Sequence, residues 1–151
     1  VNELLVDMAE MKRTESKFTL ERKAPEKKRR AVILVGLGAH PKAADLVESL
    51  KSRGLDLFEA PEPHSVPELL RQSPRAAIVV YNPVSTRDAH AVLAAIESAH
   101  RRVPVVVLVD ESDFGDYYAL MRLGALEYFE MSERSDLIVR GIEWAAESLA
   151  S

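Results

Sequence analysis

Residues 103–130 read VPVVVLVDESDFGDYYALMRLGALEYFE. The opening run, Val103 to Val109, is the longest uninterrupted apolar stretch in the chain. It is rich in β-branched side chains, which suits a strand buried on both faces. Asp113 then stands where an N-cap belongs, and Asp116 lies near the positive end of the helix that follows, so a helix is predicted over 114–123. Gly124 stops it, and residues 126–130 return to a strand. A strand, a helix and a second strand in so few residues imply parallel pairing through a crossover.

The same alternation extends upstream to residue 31 and downstream to the end. Residues 31–35 (AVILV) are the first strand, closed by Gly36-Leu37-Gly38. Ala43, Leu46, Val47 and Leu50 form the inner face of a helix over 41–53, and Gly54 ends it. Residues 55–59 are a short second strand. The sequence SVPE at 65–68 has the form of a capping box, with Pro in the first turn of a helix over 66–72. Residues 76–81 (AAIVVY) are the third strand. A helix over 87–101 turns Ala89, Val92, Leu93 and Ile96 inward. A last helix over 135–149 buries Leu137, Ile138, Ile142, Ala145 and Leu149. Five strands alternating with five helices predict an α/β fold with helices on both faces of a parallel sheet. For about 120 residues the expected order is the flavodoxin-like 2-1-3-4-5. Ligands in that topology bind beyond the carboxyl ends of strands one and three, which directs attention to Gly36–His40 and Tyr81–Thr86, flanked by Val109–Glu111 and Met131.

Residues 1–30 differ from this body. Leu4, Leu5, Met8 and Met11 share one stripe of a short amphipathic helix over 2–12, which is not stable alone and must dock. Residues 13–30 are charged, carry Pro25 and read as a linker. The first 30 residues hold nine Lys/Arg against six Asp/Glu, and residues 31–151 hold eleven against eighteen. An acidic body argues against a nucleic-acid platform. The basic cluster Lys27, Lys28, Arg29, Arg30 reads as a solvated linker, with contact to an acidic partner as the alternative. The chain has no cysteine, which excludes thiol catalysis, disulfides and cysteine-based zinc sites. No apolar run approaches a membrane span and no signal-peptide pattern is present, so the expectation is a cytoplasmic protein with no membrane partner.

The stretch from Pro104 to Ser132 resembles the second half of a response-regulator receiver domain. In that family a P-V-I-V-L-T-A strand leads through a helix to G-A-D-D-Y-L-x-K-P, and the spacing here matches without a gap through Gly124-Ala125 to Ser132. The resemblance covers residues 31–150. It implies a receiver-like domain over 31–151 that works with protein partners in bacterial signalling. Receivers accept a phosphoryl group on an aspartate ending strand three, with Mg²⁺ held by an acidic pair after strand one. A hydroxyl residue ends their strand four and a Lys follows strand five. The metal neutralises the transferring phosphoryl oxygens and the carboxylate is the nucleophile. In this chain the acidic pair falls on Gly36 and Leu37, and the acceptor falls on Tyr81, or Asn82 if the register slips by one. The hydroxyl falls on Val109, the Lys on Met131 and the following Pro on Ser132. Such a pocket lacks the hard anionic ligands of a magnesium site, and tyrosine is neutral at pH 7. The expectation is a pseudo-receiver with no catalytic residues, metal or cofactor. It would act through protein–protein contact, possible homodimerisation included, on the surface where the family binds partners, around Tyr117, Tyr128 and Trp144. As the sequence closes at Ser151, output is expected through contact.

Other chemistries have partial support in the residues. Asp88, Asp110 and Glu111 lie on the functional edge and read as caps and solvated loop charges, with a displaced metal site as the alternative. Gly36-Leu-Gly38 and Glu59 form part of a dinucleotide fingerprint, but its third glycine falls on Pro41. A small-molecule or nucleotide binder is therefore the second reading, and an atypical phosphoacceptor in a phosphorelay the third. Lys42 is not in a phosphate-loop sequence. His40, His64, His90 and His100 read as surface histidines, and no G-x-S-x-G hydrolase elbow is present. Phe114, Tyr118 and Met121 are expected on the inner face of their helix, Tyr117 and Trp144 less so. Tyr128 is expected to be fixed in place.

Overall fold

The computed structural model describes residues 30–82, 87–98 and 102–148. The expected helix over 2–12 and the linker over 13–29 lie outside the described residues, as do Pro83–Thr86, His100 and Leu149. The strands are β1 (Arg30–Val35), β2 (Leu55–Ala60), β3 (Ala77–Asn82), β4 (Val105–Val109) and β5 (Glu127–Glu130). The α-helices are α1 (Ala43–Ser52), α2 (Val66–Gln72), α3 (Arg87–Ser98), α4 (Phe114–Leu123) and α5 (Ser135–Glu147). Short 3-10 turns, Leu37–Ala39 and Pro63–Ser65, precede α1 and α2. All strands are parallel, in the order β2-β1-β3-β4-β5, as the alternation predicts.

The period of two along each strand sends alternate side chains to opposite layers. Val32, Leu34, Ala77, Val79, Val106 and Leu108 pack under α1 and α5, with Leu46, Leu50, Ile138 and Ile142 facing them. Ile33, Val35, Ile78, Val80, Val105 and Val107 pack under α2, α3 and α4, against Val66, Leu70, Val92, Ile96 and Leu120. The central strands β1, β3 and β4 are buried on both sides, which is why they read as continuous apolar runs.

Several local expectations are corrected. Arg30 is not linker. It opens β1 opposite Leu55, and its guanidinium lies 2.6 Å from Glu147 and 3.8 Å from Glu143 at the end of α5. The capping box at Ser65 does not form, because the preceding 3-10 turn holds Ser65 in a helical conformation (φ −80°, ψ −14°) rather than the extended one a cap needs. Glu68 pairs with Arg71 and accepts from Gln72 instead. Leu137 is 38% exposed, because the inner stripe of α5 is Ile138, Val139, Ile142, Ala145 and Ala146 and Leu137 sits one residue off it. Phe114 and Tyr118 point outward, at 80% and 54% exposure. Leu120 is the buried residue of α4, and those two aromatics fall on the far side of the helix from it. Met121 is partly buried against the core, as expected. The stop at Gly124 forms as read: φ is +115°, a left-handed conformation open to glycine at little cost, and Ala125 N–H closes the helix onto Leu120.

Candidate functional site

The carboxyl ends of β1, β3, β4 and β5 meet at one edge of the sheet. Pairing places Val35 beside Val80 and Asn82 beside Val109, so Gly36, Tyr81, Asp110 and Met131 converge there. Gly36 turns the chain at φ +72°, with its backbone against the Tyr81 carbonyl: a Cβ added there would sit 3.5 Å from that oxygen. Leu37 and Met131 are buried in the α1/α5 layer of the core.

Tyr81 is 4% exposed, and its ring packs in the same layer. Its hydroxyl donates to Asp110 Oδ1 at 2.7 Å. His40 meets the Tyr81 ring edge-on at 5.2 Å between centroids. Its Nδ1 accepts from Lys42 N–H at 2.9 Å, which leaves Nε2 facing Asp110 Oδ1 at 3.6 Å. Burial first, and then the hydrogen bond and negative charge of Asp110, push the Tyr81 phenol well above its ordinary value. It is therefore a neutral donor, not a phenolate nucleophile.

Lys42 crosses from the start of α1 to the β5–α5 turn. Its Nζ donates to the Met131 carbonyl and, at 3.0 Å, to the Glu133 carbonyl. The cation binds backbone oxygens beside the position where the resemblance expects a lysine side chain. Val109 offers only a buried isopropyl group, and Asn82 is 3% exposed with Nδ2 lacking a partner among the described residues. Mg²⁺ demands octahedral oxygen coordination. Gly36 and Leu37 carry no side-chain oxygen, Asp110 is engaged by Tyr81, and no group of three or more His, Asp or Glu among the described residues is placed to hold a metal. The donor set does not fit a divalent cation.

Three residues at this edge take roles that the sequence did not indicate. Asp110 was assigned to solvent, yet it accepts the buried Tyr81 hydroxyl. His40 was read as a surface histidine, yet its side chain is only 15% exposed, against Tyr81. Lys42 was weighed only as a phosphate-loop lysine. The signal available was the strand register, which puts Asp110 one residue past the pair Asn82–Val109. Asp88 lies in the first turn of α3, and Glu111 is an exposed loop residue. His64 and His90 are exposed as expected.

The partner-facing candidates separate into two places. Tyr117 and Tyr128 meet edge-on at 5.4 Å, and the Tyr128 hydroxyl accepts from Asp113 N–H at 3.3 Å, which fixes the ring. Burial raises the Tyr128 phenol, with the neighbouring carboxylates adding to the shift. Asp113 itself caps α4 through Asp116 N–H at 3.0 Å. Phe114 stacks on Tyr118 at 6.3 Å, and the Arg122 guanidinium lies over the Tyr118 ring at 5.6 Å. An aromatic strip thus runs from Tyr128 across the outside of α4. Trp144 is exposed on α5, outside that strip.

This topology and its strand-end crevice define the receiver-domain fold of two-component response regulators. Among solved structures, the chain is similar to the signal receiver domain of a candidate Luxo repressor protein from Vibrio parahaemolyticus, at 16% identity and a TM-score of 0.70 over 81% of this chain and 93% of that one. The receiver domain of NarL from Mycobacterium tuberculosis matches at 18% identity and a TM-score of 0.67, covering 80% of this chain and 98% of its own. That of NtrX from Brucella abortus matches at 20% identity and a TM-score of 0.62, covering 78% and 98%. No protein-family model matches the chain, and no curated protein matches it in sequence. Among the described residues no helix is long and apolar enough to cross a membrane.

Proposed function

We propose that the chain is a pseudo-receiver: a non-catalytic signalling module that keeps the receiver fold, is not phosphorylated on a strand-end aspartate, and acts by binding protein partners. One observation carries this reading. The position where a receiver presents its acceptor carboxylate holds Tyr81, buried and donating its hydroxyl to Asp110. A carboxylate so engaged, with Gly36 and Leu37 in place of an acidic pair, gives a phosphoryl group and its metal nothing to bind. The aromatic strip on α4 supports the second half of the reading, since amphipathic rings on an exposed face are favourable interface anchors. The test is incubation of the chain with Mg²⁺ and either acetyl phosphate or beryllofluoride. We expect no covalent phosphoryl adduct by mass spectrometry, and unmoved amide signals at Tyr81, Val109 and Asp110. An adduct on any residue, or shifts confined to that edge, would establish an atypical phosphoacceptor instead.

A second reading has its own support. A cavity of about 300 Å³ lies under the Gly36–Gly38 turn, lined by Leu34, Ala43, Val47, Ala60 and Pro61 with Glu59 at its side. Its apolar walls and single carboxylate suit a small neutral or cationic molecule better than a phosphate-bearing nucleotide. A thermal-shift screen that finds no stabilisation at millimolar ligand removes this reading.

A further inference from the structure

At the opposite edge of the sheet, away from the crevice, an open groove of about 850 Å³ runs between the ends of α3, α4 and α5 and the start of β4. Leu93, Ile96, Val103, Leu123 and Leu126 give it an apolar floor and wall, and Arg102 and Arg122 stand at its rim with Glu97. We infer that residues 2–12 of the same chain dock in this groove as an amphipathic helix.

Three observations select this occupant. The first is where the chain enters. Arg30 opens β1 at this edge and is held by Glu147, and the next residue, Ser148, lines the groove. β1 and β4 are separated by β3 alone and Val105 is level with Ile33, so Arg30 lies about 10 Å across and about 10 Å along from the start of β4 at ordinary strand spacing. The second is reach. Residues 13–29 are seventeen residues, which extend to about 60 Å when straight and about 22 Å as a coil, so the span costs little. The third is charge. At 100° per residue, Leu4, Leu5, Met8 and Met11 fall within about 120° of one another, with Glu3, Asp7 and Glu10 on the side of Met11 and Lys12 inside the stripe between Met8 and Leu5. Seated in the groove, the acidic flank is attracted to Arg102 and Arg122 at the rim. A helix this short needs such a surface to be stable, and Leu123, 47% exposed, offers it apolar area.

The full chain tests this directly. It has no cysteine, so Ala9→Cys, just outside the apolar stripe on the side of Leu5, accepts a single nitroxide label. In the labelled chain we expect loss of the methyl signals of Leu93, Ile96, Leu123 and Leu126. Adding Leu5→Asp and Met8→Asp should restore those signals, without disturbing the amide spectrum of the sheet. Mixing nitroxide-labelled chain with isotope-labelled, cysteine-free chain should leave the signals intact. Signal loss in the mixture would place the segment on a second copy and overturn docking within one chain. No loss at the groove, or loss centred on Phe114 or Trp144, would overturn the groove as its site.

Discussion

Helices α4 and α5 lie on opposite faces of the sheet and are held in different ways. α5 lays Ile138, Val139, Ile142, Ala145 and Ala146 into the layer that also contains Tyr81 and Met131. α4 fixes itself with Leu120, a cap at Asp113 and a glycine stop, and turns Phe114 and Tyr118 to solvent. On the α5 side, Leu37, Tyr81 and Met131 are drawn into packing, and the Tyr81 hydroxyl into an internal hydrogen bond. On the α4 side, apolar surface that could have been buried is left outside. The contrast separates a helix held by a continuous buried stripe from one held mainly at its ends.

The hardest blow to that contrast is struck in α5. Ile142 is fully buried beneath the sheet, and Ile142→Ala removes its side chain from a layer already closed by Ile138 and Val139. Chemical denaturation should show a loss of about 2–5 kcal/mol. A loss below about 1 kcal/mol would mean that α5 is as loosely held as α4.

Tyr81→Phe tests the polar lock on the same face. The hydrogen bond to Asp110 is lost while the ring stays, and Asp110 is open enough to rehydrate, so the cost near pH 7 should be about 1 kcal/mol. The pH dependence is more telling. The folded phenol titrates above the unfolded one, so the unfolded chain releases its proton first as pH rises. The stabilisation from Tyr81 is therefore complete below about pH 10, the ordinary tyrosine value, and is lost above it. Tyr128 is shifted the same way, so the parent and the variant must be compared at each pH. Their stability difference should shrink as the pH passes 10. A difference that stays constant would mean that the phenol is not held neutral by its surroundings.

The sequence carried the frame and missed the wiring. The strands were legible because burial on both faces leaves continuous runs such as Val105–Val109, and the ends of α4 because Asp113 and Gly124 act locally. The phase of α4 was not legible. With Phe114, Tyr117, Tyr118, Leu120, Met121 and Leu123 spread around it, no single stripe marks an inside. The crevice was half legible. Alignment to a receiver put Gly36, Leu37, Tyr81, Val109 and Met131 at its edge, but the bonds that define it join residues 29 and 89 positions apart: Tyr81 to Asp110, and Lys42 to Met131. Such pairings depend on rotamers and turn geometry that periodicity does not encode. The 3-10 turn at Pro63–Ser65, which cancels the capping box, is of the same kind.

The smallest expected effect sharpens the contrast from the α4 side. Phe114 is 80% exposed and touches Tyr117 and Tyr118 only at ring distances of 6.5 and 6.3 Å. Phe114→Ala gives up weak aromatic contacts and slightly improves helix propensity, two small terms of opposite sign. Its unfolding free energy should stay within about 0.5 kcal/mol of the parent, as for surface positions generally. That outcome would mean that the ring adds little to folding, as the proposed binding role of the strip requires. If Phe114→Ala instead costs more than about 1.5 kcal/mol, the strip is part of the fold, and the division between a packed α5 and an offered α4 fails.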